Sequence, residues 1–75
     1  MTEKLPIIAP EKWLSRDGSP VACEEKIKVL NENLEEIHQL CQDALEDAVL
    51  MGCDEYYVRK TLHDVIDALT KPFSA

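Results

Sequence analysis

Apolar residues between positions 23 and 51 recur as Cys23, Ile27, Leu30, Leu34, Ile37, Cys41, Ala44, Ala48 and Met51. The steps alternate between four and three, the heptad spacing of a helix that keeps one narrow face against a partner. In that register Ile27, Leu34, Cys41 and Ala48 occupy position a, and Leu30, Ile37, Ala44 and Met51 occupy position d. Neither Gly nor Pro falls between Pro20 and Gly52. Ser19-Pro20 has the form of a helix start, a hydroxyl cap followed by proline at the first helical position. Gly52 has the form of a C-terminal stop. The pattern predicts a helix over about 20–51, roughly 48 Å long at 1.5 Å per residue. Its weak point is Asn31-Glu32-Asn33, where poor helix formers sit together and Asn33 with Glu36 could cap a new helix.

After Ile37 the stripe widens, because Leu40, Leu45 and Val49 join it. A wide apolar face suits bundle packing, so this half of the helix is expected to meet more than one neighbour. The nearest neighbour follows directly in sequence. Asp54 is placed to cap a second helix over about 55–70, which Lys71-Pro72 would end. Its stripe is Val58, Leu62, Val65, Ile66 and Leu69. Glu55 and Arg59 can pair one turn apart for a few tenths of a kcal/mol. A link of two or three residues between the helices forces an antiparallel hairpin.

The two helices differ in length by a factor of two. The shorter one can cover only the Ile37–Met51 half of the longer one. Ile27, Leu30 and Leu34 then need another cover, and burying each such side chain is worth about 1.5–3 kcal/mol. A second copy of the chain supplies it. The expected fold is all-α, a long-helix/short-helix antiparallel hairpin that dimerises into a four-helix bundle. Its dimer seam is Ile27, Leu30, Leu34, Ile37 and Cys41. Antiparallel pairing of the long helices sets Lys26 and Lys28 beside Asp43, Glu46 and Asp47, whereas parallel pairing sets acid against acid.

Residues 1–19 read as an irregular N-terminal arm, rich in proline and turned at Asp17-Gly18. A short helical turn over Pro10–Leu14 is compatible with proline at its first position. The arm also carries Leu5, Ile7, Ile8, Trp13 and Leu14, which is too apolar for a disordered tail. It is expected to fold over the helices and supply missing core; exchange between chains, or docking on a partner, is the alternative.

Charge changes the picture of the surface. The chain has 75 residues and a formal charge of −7, and that charge is local. Residues 1–28 are neutral, with five acids and five bases, while residues 29–58 hold eight acids and no Lys or Arg. Residues 59–75 are net +1, with Arg59, Lys60 and Lys71 against Asp64 and Asp67. The acidic belt can serve as a solvated face or as a docking face for a basic protein, with Asp43, Glu46 and Asp47 at its centre. It speaks against nucleic acid and anionic membrane surfaces, which are recognised through Lys and Arg. The longest apolar run is four residues, Ala48–Met51, too short to span a bilayer. Leu5-Pro6-Ile7-Ile8-Ala9-Pro10 is broken by prolines and does not read as a secretory signal.

Candidate chemistry is sparse. Cys23, Cys41 and Cys53 are odd in number and lack a C-x-x-C pair, which points to a reducing cytoplasm rather than to disulfides or a zinc ribbon. Cys53 is expected to be exposed and, beside Asp54 and Glu55, unreactive. Glu35-x-x-His38 resembles half of a di-iron helical motif, and His63 with Asp67 could add ligands. One copy is too few, so Glu35, His38, His63 and Asp67 are weak metal candidates and no cofactor is assigned. The hydroxyls form no nucleophile elbow, two glycines cannot build a phosphate loop, and the carboxylate pairs lie on a solvated helix. An enzyme is therefore not expected. Trp13, Tyr56 and Tyr57 are the aromatic candidates for partner contact, since such side chains are enriched in hot spots. Together these features predict a small acidic cytoplasmic interaction module acting as a homodimer, with a metal- or small-ligand-binding bundle as the alternative.

Overall fold

A computed structural model describes residues 9–71, and among them helix is the dominant element. Helix α1 spans Glu24–Leu50 and helix α2 spans Glu55–Asp67. The chain divides into two units, Met1–Leu40 and Cys41–Ala75, and the boundary falls within α1. Leu5, Ile7, Ile8 and Phe73 lie outside the described residues.

In the first unit the arm is ordered by its own hydrogen bonds. Leu14 and Pro20 form an antiparallel bridge. The Val21 N–H donates to the Trp13 carbonyl and the Ser15 N–H to the Ser19 carbonyl, each at 2.7 Å. Both bonds flank the Leu14–Pro20 pair, which leaves Pro20 at a position that needs no N–H, so the proline costs the bridge nothing. The connection Arg16-Asp17-Gly18 closes through a 2.9 Å bond from the Gly18 N–H to the Ser15 carbonyl. Gly18 has φ +92°. This is the three-residue hairpin loop that ends on a left-handed residue, a conformation glycine adopts without penalty. The expected helical turn over Pro10–Leu14 is absent: bends stand at Glu11 and Lys12, and Leu14 is drawn into the bridge instead.

The same pairing moves the start of α1. Ser19-Pro20 does not open the helix; α1 begins at Glu24, with Cys23 as its cap residue, since the Ile27 N–H donates to the Cys23 carbonyl at 3.0 Å. The Ser19 backbone N–H and hydroxyl both donate to Asp17 Oδ1, at 3.0 and 2.7 Å. A serine engaged by a neighbouring aspartate is unavailable as a cap, and Pro20-Val21 are held extended opposite Trp13-Leu14. Glu24 and Glu25 still fall in the first turn, where acids complement the helix dipole. Helix α1 passes through Asn31-Glu32-Asn33 without a break.

The second unit is a helical hairpin. Helix α1 ends as its sequence predicts: Gly52 has φ +95°, the Cys53 N–H donates to Ala48 O at 2.9 Å and the Gly52 N–H to Val49 O at 3.0 Å. This is the paired bonding of a Schellman stop, which satisfies carbonyls the helix leaves open. Asp54 then caps α2. Its backbone is extended (φ −72°, ψ 129°) and its carboxylate accepts from the Tyr57 N–H at 2.8 Å. Helix α2 stops at Asp67 with Ala68 as its C-cap, three residues short of the expected end. The proline at 72 disfavours helical geometry at Lys71 and offers no N–H to continue the ladder. On α1 the half-buried positions of this unit are Cys41, Gln42, Leu45 and Ala48, and on α2 they are Val58 and Leu62. They mark the contact between the two limbs of the hairpin.

Candidate functional site

Among the described residues, a side-chain hydrogen bond joins the arm to the first part of α1. The Trp13 indole N–H donates to Asn31 Oδ1 at 2.8 Å, across 18 residues of sequence. Trp13 and Asn31 are both half-buried. An indole N–H taken from water needs a partner, and a mid-helix Asn supplies an acceptor that an apolar residue could not. In α1 up to Leu40 the half-buried positions are Ile27, Leu30, Asn31, Leu34 and His38, spaced so that all lie on one side of the helix. The bond therefore seats Trp13 on the stripe that contains the expected dimer seam residues Ile27, Leu30 and Leu34. Ile37 is exposed, and Cys41 is half-buried within the second unit.

Two side chains of this unit have shifted acidities. The Asp17 carboxyl is held below its ordinary value, chiefly by the Ser19 backbone N–H and then by the Ser19 hydroxyl. The Cys23 thiol is likewise lowered. The backbone N–H of Lys26 contributes most and that of Glu25 next, because both point at the sulfur from the open first turn of α1. Cys23 and Cys53 are exposed and Cys41 is half-buried; all three are free thiols. Residue spacing placed Cys23 at the head of the apolar seam, whereas the late start of α1 makes it a cap.

Of the remaining candidates His38 is half-buried, and the others sit on exposed helix. Among the described residues no group of three or more His, Cys, Asp or Glu is placed to hold a metal ion. Glu35 and His38 lie in the first unit, His63 and Asp67 in the second. Asp43, Glu46 and Asp47 are exposed on α1, and Glu46 accepts a 2.9 Å bond from Gln42. Tyr56 and Tyr57 are both exposed, at 74% and 65%, in the first turn of α2. Charged pairs one turn apart line the helix surfaces: Lys28 with Glu32 at 3.2 Å, Arg59 with Glu55 at 2.9 Å, and Lys60 with Asp64 at 3.4 Å. Each is solvent-exposed and contributes at most a few tenths of a kcal/mol.

Asn31 as acceptor for Trp13 and Cys23 as cap of α1 are roles that the apolar repeat does not display. Asn31 carried a signal, since a poor helix former inside an unbroken apolar repeat is a candidate polar anchor. Trp13, whose N–H needs an acceptor, was its counterpart. Among the described residues no helix is long and apolar enough to cross a membrane. No family model matches this chain, and no curated protein or solved structure matches it either.

Proposed function

We propose that this chain is a small acidic protein-interaction module, an adaptor or regulator without catalysis of its own, working in the cytoplasm as a homodimer. One observation carries the reading: among the described residues not one is buried, while large apolar side chains stand open in both units. Leu14 and Val29 are exposed in the first unit, and Val49, Leu50, Val65, Ile66 and Leu69 in the second. On α2 the stripe is covered at Val58 and Leu62 and then open at Val65 and at Leu69, which is 70% exposed. An apolar stripe left open along α2 in this way supports the reading as a protein-protein contact surface.

The dimer uses the α1 seam of Ile27, Leu30, Leu34, Ile37 and Cys41, with the second helices flanking it as a four-helix bundle. Antiparallel pairing brings Lys26 and Lys28 of one chain toward Asp43, Glu46 and Asp47 of the other. Lys28 is already paired with Glu32 in its own helix, so the cross-chain pairing competes with that bond. The rest of the acidic belt, with Tyr56 and Tyr57 at its end, is left to receive a basic protein. Sedimentation equilibrium at about 10 µM, near common Kd values for small modules, tests the self-association. Twice the chain mass of 8.5 kDa is expected. A species of chain mass, unchanged on concentration, overturns the reading.

A further inference from the structure

We infer that the hairpin of residues 13–21 is a releasable strap over the α1 seam, so that the seated hairpin and a second copy of the chain compete for the same stripe. This rests on the homodimer reading above. The contact point is the 2.8 Å bond from the Trp13 indole to Asn31, which stands one turn beyond Ile27 and three residues before Leu34. Both neighbours belong to the seam a second helix must reach, and an indole over Asn31 occupies the space that helix would fill.

The hairpin of residues 13–21 is built to leave as a piece. Its loop is closed internally, by Val21 on Trp13, Ser15 on Ser19, Gly18 on Ser15 and Ser19 on Asp17. None of those bonds involves α1, so lifting the loop breaks none of them. Between the bridge and α1 stand only Val21, Ala22 and Cys23, outside any regular element. Trp13 is half-buried rather than sealed, and Leu14 beside it is exposed. Among the described residues one side-chain bond joins the strap to α1, a seat that holds the closed form without locking it.

The strength of the effect follows from its arithmetic. Competition by a closed form lowers the apparent affinity by the fraction of chains that are open. Loss of one ordinary hydrogen bond shifts closure roughly fivefold. Both chains must open for a dimer to form, so the dimer constant tightens by up to about 25-fold.

Sedimentation equilibrium over a wide concentration range compares the wild type with Asn31→Ala and Trp13→Phe. Asn31→Ala removes the acceptor and improves helix propensity, while Trp13→Phe keeps an aromatic ring and removes the donor. Far-UV circular dichroism verifies that each variant retains the helical content of the wild type. Both variants are expected to dimerise at lower concentration than the wild type. If the wild type dimerises and both variants do so equally well or less well, the strap is overturned and the dimer stands. If all three remain monomeric to the highest concentration, the dimer reading falls and the strap with it. A third variant, Leu30→Asp, marks the surface: in an Asn31→Ala background it is expected to return the protein to monomer, and continued dimerisation places the interface elsewhere and overturns the strap.

Discussion

Cys23 shows how far one residue's environment can depart from its place in a repeat. In the heptad register it heads the apolar seam, yet its sulfur faces the open N–H groups of Lys26 and Glu25. Those donors favour the thiolate at Cys23, which is exposed. Alkylation with iodoacetamide at about pH 8, followed by peptide mapping, should modify Cys23 before Cys53 and leave half-buried Cys41 last. Equal rates at Cys23 and Cys53 would count against a capped thiolate. The sign of the linkage follows from the lowered value. Cys23 stabilises the start of α1 fully above the ordinary thiol value of 9.0, and that support is lost as pH falls through the folded value. Cys23 itself is visible in the sequence, but its role depends on where α1 starts. Ser19-Pro20 points to the wrong place because Asp17 engages Ser19 and a pairing with Trp13-Leu14 holds Pro20-Val21 extended. No local pattern displays a pairing made across a loop.

At the scale of the element, the turn between the helices was legible because each of its residues acts through its own chemistry. Gly52 reverses the chain at φ +95°, and Asp54 restarts the helix by accepting from the Tyr57 N–H. Each can be removed separately. A Cβ at Gly52 would meet no atom within 4 Å, so Gly52→Ala is penalised by backbone conformation and not by a clash. The expected destabilisation is about 1–2 kcal/mol. Asp54→Ala removes the cap and is expected to cost about 0.5–2 kcal/mol, with Asp54→Asn nearly neutral since Asn caps as well. Urea unfolding followed by circular dichroism measures both. If Asp54→Asn destabilised as much as Asp54→Ala, the carboxylate's charge and not its cap would be at work. The end of α2 was less legible, since Ala68, Leu69 and Thr70 carry no stop signal of their own and the first one in the sequence is Pro72. The continuity of α1 was obscured for a related reason, because the propensity of Asn31 speaks against helix while its amide oxygen serves the arm.

At the scale of the whole molecule, the helical class and the hairpin of the second unit could be read from periodicity and caps alone. The arm's seat could not, because a 2.8 Å bond between residues 18 apart leaves no periodic trace. The candidate site shares that fate. Glu35, His38, His63 and Asp67 were chosen by spacing along the chain, and among the described residues no trio of metal-ligating side chains assembles. Acidic residues, by contrast, need no assembly to shape a field. The belt over residues 29–58 acts through its summed charge, which falls off over about 8 Å at physiological salt.

Trp13 is the single tryptophan of the chain and lies in the first unit, while Tyr56 and Tyr57 lie in the second. The two units therefore carry separate intrinsic chromophores. Tryptophan emission follows the seating of the arm, and tyrosine absorbance follows the start of α2, with no label added. In urea the two signals are expected to give different midpoints, tryptophan first, because among the described residues one side-chain bond joins the arm to α1, while α2 is capped and paired. Coincident curves would instead make the chain one cooperative unit. The bond that seats the arm thus doubles as an optical gauge of it.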